Sequence, residues 1–94
     1  MDEDLVRARA VVRGRVQMVG FRAFVVRHAR DADVRGVVRN GRDGTLECTV
    51  EGPRRAVERV LHALSSGPVS ARVDRVDVEY QQPGGDLPPM SVTA

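Results

Sequence analysis

The spacing of apolar residues along this chain switches repeatedly between two periods. Over residues 6–12 apolar side chains recur at every second position, which is typical of a strand with one buried face. From Phe21 to Ala32 they recur three and four positions apart, which predicts an amphipathic helix that ends near Asp33. Because a strand and a helix bury different sets of positions, the order of these periods constrains the fold more than any single motif does.

A hairpin is predicted between the second and third strands. Residues 34–39 are rich in valine, and residues 45–51 alternate between apolar and polar side chains. The segment NGRDG between them contains both Asn-Gly and Asp-Gly, which are the strongest short-range hairpin signals. Cys48 lies on the inward face with Leu46 and Val50, so we expect a buried structural thiol. The outward positions predict a solvated face of Thr45, Glu47, Thr49 and Glu51.

A second helix and a fourth strand follow the hairpin. Gly52-Pro53 opens the helix and Gly67-Pro68 ends it. Its buried stripe is predicted at Val57, Val60, Leu61 and Leu64. Residues 73–80 predict a strand in which Val73 is out of phase, which indicates either a β-bulge or a later start of the strand. The inward residues of that strand are predicted to be Val76, Val78 and Tyr80.

The resulting order, β-α-β-β-α-β, predicts one α+β domain over residues 1–94. Right-handed crossovers place both helices on one face of an antiparallel sheet, which is the ferredoxin-like sandwich. The core of this domain is expected over residues 6–80, followed by a breaker-rich tail over residues 81–94. Within that tail, residues 90–93 predict a short edge strand.

Composition excludes several classes of function. All 15 basic residues are arginine, but the net charge is only +2, and two of the three aromatic residues lie in the first helix, so we expect no nucleic-acid partner. No apolar run reaches the roughly 20 residues that cross a bilayer, so no membrane partner is expected. The single cysteine and two distant histidines give no metal-site spacing, and we expect no metal and no cofactor. The acidic start, MDEDLVRA, resembles neither a signal nor a transit peptide, which favours a cytoplasmic protein. We also expect a monomer.

The junction between the first strand and the first helix is the strongest candidate for a site. It runs from Gly14 to Arg22, with glycines at both ends of the loop. A loop that enters a helix can direct several backbone N–H groups to one point, where the helix dipole also favours an anion. Arg22 falls in the first turn, where its guanidinium can bind two phosphate oxygens. An arginine at a helix start is also a common surface residue, so these residues alone leave both interpretations open.

Two motifs give this chain a resemblance to a known family. Gly14-Arg15-Val16-Gln17, followed by Val19-Gly20-Phe21-Arg22, is similar to the phosphate-loop signature of the acylphosphatases. Val37-Val38-Arg39-Asn40, followed by Asp43-Gly44, resembles the second signature of that family. The resemblance extends over nearly the whole chain and implies the same ferredoxin-like fold that the periodicity predicts.

The resemblance implies an enzyme that hydrolyses acyl phosphates to a carboxylate and inorganic phosphate without a metal or cofactor. Arg22 matches the phosphate-binding arginine of the family, and Asn40 matches the asparagine that orients the attacking water. An asparagine before glycine is also common in hairpin turns, because both residues tolerate positive φ. The loop that cradles the phosphoryl group, largely through backbone amides, matches Arg15, Val16, Gln17, Met18, Val19, Gly20 and Phe21.

Met18 departs from the family signature, which usually has glycine at this position. If the position requires positive φ, Met18 costs about 1–2 kcal/mol relative to glycine. A misplaced amide would slow catalysis, so the alternative function is a catalytically weakened phosphate- or anion-binding module of the same fold. If the position tolerates negative φ, Met18 only adds apolar surface to the rim of the loop.

Overall fold

The computed structural model confirms the predicted order of elements, including the short edge strand in the tail. The structure describes residues 4–94, and residues 1–3, which carry part of the acidic start of the chain, lie outside the described residues. The elements are β1 (Leu5–Arg15), α1 (Phe21–Asp31), β2 (Arg35–Asn40), β3 (Leu46–Pro53), α2 (Arg54–Ser66), β4 (Arg72–Gln81) and β5 (Ser91–Val92). No helix within residues 4–94 is long and apolar enough to cross a membrane.

The five strands form one sheet in the order β4-β1-β3-β2-β5. The four long strands are antiparallel to their neighbours, as predicted. The predicted edge strand is present as β5, but it runs parallel to β2. The sheet is therefore mixed rather than purely antiparallel, because the tail crosses to the far edge of the sheet before it pairs.

The core lies between the inner face of the sheet and the two helices. Ala8 and Ala10 of the central strand β1 are fully buried, and their small side chains let α2 approach the sheet closely. Helix α1 contributes a buried stripe at the predicted positions Phe21, Val25 and Ala29. Cys48 is buried as predicted, and burial raises the pKa of its thiol to about 12, so this residue is a packing element rather than a nucleophile.

The outer face of β3 is not the solvated surface that its sequence predicts. Thr45 and Glu51 are both buried. The Glu51 carboxylate accepts hydrogen bonds from Arg7 Nε at 2.8 Å and from the backbone N–H groups of Gly84 and Gly85 at 3.0 and 2.9 Å. Arg7 also pairs with Asp86. The prediction was wrong for Glu51 because all of these partners, Arg7 in β1 and Gly84 and Gly85 in the tail, lie more than 30 residues away in sequence.

The inward residues of β4 face the helix layer but are not all covered by it. Val78 and Tyr80 pair with Ala10 and Ala8, yet they are 41% and 49% exposed because β4 is an edge strand. The Arg54 guanidinium lies 5.7 Å from the Tyr80 ring centroid and partly covers it. The predicted burial of Val78 and Tyr80 is therefore wrong, although their orientation is correct.

The bulge predicted near Val73 is present. The register between β1 and β4 shifts between Arg13 and Gly14, so that Arg75 and Val73 become their partners. Gly14 has a φ of +135°, and a Cβ there would lie 2.2 Å from the Arg72 carbonyl oxygen. Only glycine therefore fits at this point, where β1 leads into the loop before α1.

The tail holds its place by backbone pairing and by one buried side chain. Met90 is 1% exposed and packs in the core. The Gly36 N–H donates to the Pro88 carbonyl and the Thr93 N–H donates to the Val38 carbonyl, both at 2.9 Å. These contacts fix β5 at the edge of the sheet beside β2, where it also contacts α1.

We expect Glu51→Gln to lower the thermal unfolding temperature at neutral pH, and more so than at acidic pH. Burial opposes ionisation of this carboxyl, but the Gly84 N–H, the Arg7 guanidinium and the Gly85 N–H outweigh it and lower the pKa of Glu51. A lowered pKa in the folded state adds stability above about pH 5, and this stability is lost as the pH falls through the folded-state value. The measurement is a series of melting curves between neutral pH and pH 3.

Glu58→Gln is the matched control, because Glu58 is exposed on α2. We expect Glu58→Gln to melt within about 2 °C of the wild type at every pH, as surface substitutions usually do. A Glu51→Gln variant that melts like the wild type at neutral pH would contradict a stabilising role for this carboxylate.

Candidate active site

The segment between β1 and α1 forms a short loop over residues 16–20. Val16 is 1% exposed and anchors the start of the loop in the core. At the other end, Ser70 Oγ donates a 2.8 Å hydrogen bond to the Val19 carbonyl. Two loop residues, Met18 at φ +61° and Gly20 at φ +77°, adopt left-handed backbone conformations. The loop is therefore a fixed, tightly turned segment rather than an open connection.

The backbone donors of this loop and of the adjoining helix start are not used within the protein. Among residues 4–94, the N–H groups of residues 17–20 have no protein acceptor. The first hydrogen bond into α1 is from the Phe24 N–H to the Gly20 carbonyl at 3.1 Å, and no side chain caps the helix. The left-handed residues Met18 and Gly20 are separated by Val19, which has a negative φ, and such alternation can direct successive N–H groups to one side. The helix dipole adds partial positive charge there. This end of α1 therefore has the properties of an anion site.

Arg22 adds a full positive charge to this end of the helix. Its side chain is exposed, and among the described residues it has neither an ion-pair nor a hydrogen-bond partner. Several other arginines are paired with carboxylates, namely Arg7, Arg9, Arg13, Arg39, Arg54, Arg72 and Arg75. The guanidinium of Arg22 is thus free to bind an external anion.

Asn40 is the last residue of β2, and its position in the strand places it on the same face as the buried Val38. It pairs with Leu46, which is fully buried, as Val38 pairs with the buried Cys48. The amide of Asn40 therefore points to the helix side of the sheet. Its Oδ1 atom is buried and has no hydrogen-bond partner among the described residues. An unpaired buried acceptor costs about 1–3 kcal/mol, which is consistent with a ligand that completes this site.

One cleft brings Arg22 and Asn40 together. It has a volume of about 360 Å³, and its other lining residues are Val16, Met18, Gly20, Phe21, Ala23 and Val92. No acidic side chain lines it. Arg15, Gln17 and Val19, which the sequence also assigned to the phosphate loop, do not line this cleft. A cleft with one free guanidinium, one free amide oxygen and apolar walls can hold an anionic group beside an ordered water.

Gln17 connects the two halves of the site. Its Nε2 donates hydrogen bonds to the carbonyl oxygens of Gly41 and Thr45, at 2.8 and 2.9 Å. These carbonyls belong to the turn that follows Asn40, so the loop and the hairpin are fixed relative to each other. Sequence reasoning assigned Gln17 a backbone role only, because no local signal indicates a side-chain partner more than 20 residues away.

Val92 and Ala23 line the cleft, although sequence reasoning assigned neither of them to the site. Of the two, Val92 has the larger apolar side chain. It belongs to β5 and is 49% exposed. A short edge strand was predicted over residues 90–93, but its sequence does not indicate which edge of the sheet it joins. The parallel pairing with β2 is what places Val92 beside the start of α1.

Known proteins with a similar sequence or fold include several acylphosphatases. The family model described as acylphosphatase matches residues 8–87. The acylphosphatase of Chloroflexus aurantiacus is 48% identical over 82 residues, which cover 87% of this chain and 89% of that protein. The acylphosphatase of Anaeromyxobacter dehalogenans is 50% identical over 84 residues, which cover 89% and 90%. The crystal structure of the acylphosphatase from Bacillus subtilis has a TM-score of 0.90 at 31% identity and covers 95% of this chain and 99% of that one.

We expect Asn40→Ala to fold as stably as the wild type or more stably, by up to about 1 kcal/mol. The substitution removes a buried acceptor that lacks a partner, so it removes an unfavourable contribution to the folded state. The measurement is urea-induced unfolding in a phosphate-free buffer. A loss of more than about 1 kcal/mol would indicate that the amide is a structural element of the hairpin.

We expect Met18→Gly to raise the free energy of unfolding by up to about 1 kcal/mol. Left-handed geometry costs a residue with a Cβ about 1–2 kcal/mol, and the entropy that glycine loses on folding offsets about 0.5–1 kcal/mol of the gain. The matched control is Asp33→Gly, since Asp33 has a φ of +59° outside the cleft. The control should gain less, because aspartate tolerates this geometry better than methionine. A destabilised Met18→Gly would show that the side chain, despite 97% exposure, contributes to packing.

Proposed function

The chain belongs to the acylphosphatase family, and we propose that Arg22 and the loop amides hold the phosphoryl group while Asn40 directs water at it. The family activity is hydrolysis of acyl phosphates to a carboxylate and inorganic phosphate, and this chain is an enzyme of that class. The proposal concerns which residues of this chain carry out the reaction.

The observation that carries the proposal is the convergence of two unpaired groups in one cleft. Arg22 offers an unpaired guanidinium and Asn40 offers an unpaired buried oxygen. The uncapped start of α1 lines the same cleft through Gly20 and Phe21. A phosphoryl group carries negative charge that matches the guanidinium and the N–H groups. A water hydrogen-bonded to Asn40 Oδ1 would then lie beside the phosphorus atom.

The reaction requires little from the protein beyond positioning and charge stabilisation. The water oxygen attacks phosphorus, and the bond between phosphorus and the acyl oxygen breaks. The leaving carboxylate has a conjugate acid with a pKa of about 4, so it departs at neutral pH without a general acid. Asn40 accepts one hydrogen bond from the water, which orients it without removing a proton. We propose that the proton passes to a phosphoryl oxygen, because the cleft lining contains no carboxylate or histidine.

Arg22 and the loop amides act on the charge that develops during this reaction. In phosphoryl transfer the negative charge spreads over the three non-bridging oxygens, and fixed donors stabilise it without reorganising. The two left-handed residues set the direction of the loop donors before substrate binds. Substrate binding therefore does not have to order the loop.

The alternative, a phosphate-binding module with weak catalysis, depends on whether Met18 displaces the loop amides. The residue adopts the left-handed geometry that glycine would adopt, with a φ of +61°. Because the backbone is in that geometry, the loop amides keep their direction and the cost falls on the stability of the fold. We therefore favour hydrolysis over binding alone.

We further propose that the enzyme acts as a monomer in the cytoplasm and without a nucleic-acid partner. The outer sheet face carries arginines paired with carboxylates rather than aromatic side chains, for example Arg39 with Glu47 at 3.1 Å and Arg13 with Asp77 at 3.2 Å. Such paired charges offer little free positive charge for a phosphate backbone. The proposed location rests on the character of the sequence alone.

We expect Arg22→Ala to lower kcat/KM for acetyl phosphate by at least about 100-fold, because it removes the only charged donor in the cleft. Asn40→Ala should lower kcat by a similar factor, because an unoriented water attacks less often. Inorganic phosphate should inhibit the wild type competitively, and inhibition should weaken in Arg22→Ala but much less in Asn40→Ala. The measurement is release of inorganic phosphate under steady-state conditions, with circular dichroism to check folding.

Arg59→Ala is the matched control, because it removes an exposed helical arginine that does not line the cleft. Its kcat/KM should stay within about twofold of the wild-type value. Full activity in both folded variants, Arg22→Ala and Asn40→Ala, would refute the assignment. Phosphate inhibition without hydrolysis in the wild type would instead favour the binding module.

A further inference from the structure

We propose that Met18 and Val92 form the acyl-binding surface of the cleft and that they select substrates with apolar acyl groups. This inference rests on the proposed function, because the phosphoryl group must lie at Arg22 for the acyl group to reach these two side chains. It concerns the acyl group of the substrate, which leaves as a carboxylate and which the phosphate site does not contact.

The walls of the cleft divide into a polar and an apolar part. Arg22 and Asn40 are the only lining residues with polar side chains, and both are assigned to the phosphoryl end. Every other lining residue is apolar or glycine. Among these, Val16 and Phe21 are 1% exposed and belong to the core. Met18 and Val92 are the large apolar side chains of the lining that solvent reaches.

Met18 lines the cleft with almost its whole side chain exposed to solvent. It is 97% exposed, so its thioether chain makes little contact with the rest of the protein. The left-handed backbone fixes where the side chain leaves the loop. Methionine is flexible and polarisable, so it can adapt to acyl groups of different shape.

Val92 also lines the cleft, and it belongs to a more rigid wall. Strand β5 pairs with β2, and the Thr93 N–H donates to the Val38 carbonyl at 2.9 Å. The buried side chain of Met90 anchors the same segment in the core. Arg30 also donates two hydrogen bonds to the Met90 carbonyl, at 3.2 and 3.3 Å. Val92 is therefore fixed beside the cleft while half of its side chain remains accessible.

The cleft as a whole matches a molecule with an anionic end and an apolar end. No donor or acceptor side chain stands beside Met18 or Val92 in the lining to receive a polar acyl group. A polar group placed there would lose water without gaining a hydrogen bond, whereas an alkyl chain would remove apolar surface of both residues from water. A longer alkyl group removes more of this apolar surface from water than an acetyl group does, so longer alkyl groups should gain most.

The test compares acetyl phosphate with butanoyl phosphate, whose leaving groups have similar basicity but differ by two methylenes. We expect the wild type to favour butanoyl phosphate by about 10-fold in kcat/KM, at the low end of what apolar contacts provide because the surface is half open. Val92→Thr keeps the shape of the side chain and replaces one methyl group with a hydroxyl. Met18→Asn introduces a polar residue that tolerates left-handed geometry. Each variant should reduce the preference by about threefold or more.

Val69→Thr is the matched control, because Val69 is an exposed valine that does not line the cleft. It should keep the wild-type preference. The inhibition constant of inorganic phosphate reports on the phosphoryl end of the cleft. It should keep its wild-type value in Val92→Thr, because Val92 lies outside the phosphate loop.

Two results would overturn the inference while the proposed function stands. One is a wild type that hydrolyses both substrates with equal kcat/KM. The other is an unchanged preference in both Val92→Thr and Met18→Asn. If the wild type hydrolyses neither substrate, the proposed function fails, and this inference fails with it.

Discussion

Two hydrogen bonds from one amide hold the halves of the cleft in place. Gln17 Nε2 binds the carbonyls of Gly41 and Thr45, and the Gly41 N–H closes the same turn on the Thr45 carbonyl at 2.8 Å. The side chains of Arg22 and Asn40 have no partners of their own among the described residues, so backbone position alone brings them together. Since displacements of about 1 Å can cost 100-fold in rate, the mechanism that we propose, which acts by positioning, depends on this connection.

Local rules of protein structure are broken at this site more often than elsewhere in the described chain. A methionine takes a left-handed conformation, a buried oxygen lacks a partner, and a helix starts without a side-chain cap. Each of these features is unfavourable in the free protein, and an anion with its water would relieve the last two. The cost is affordable because the surrounding core is regular, with β1 between β3 and β4 and both helices packed on one face.

The sequence predicted what local periodicity determines. Both helices and the four long strands lie within a few residues of their predicted bounds, although β1 continues to Arg15 because it keeps pairing with β4 beyond its last apolar residue. Residues that depend on distant partners were not predictable. Glu51 is buried by the tail, and the place of Val92 follows from the edge that β5 joins. Arg22 and Asn40 were identified through family motifs, since an exposed arginine and a turn asparagine have no distinguishing local signal.

The course of the tail has a practical consequence for handling the protein. Strand β5 brings the chain to the opening of the cleft, and Ala94 lies two positions after Val92. An affinity tag or fluorescent fusion attached at Ala94 would therefore emerge beside the opening and could obstruct it. The opposite terminus is the better attachment point, because Leu5 at the start of β1 pairs with Pro53 at the far end of β3, away from the Leu46 end where Asn40 lies.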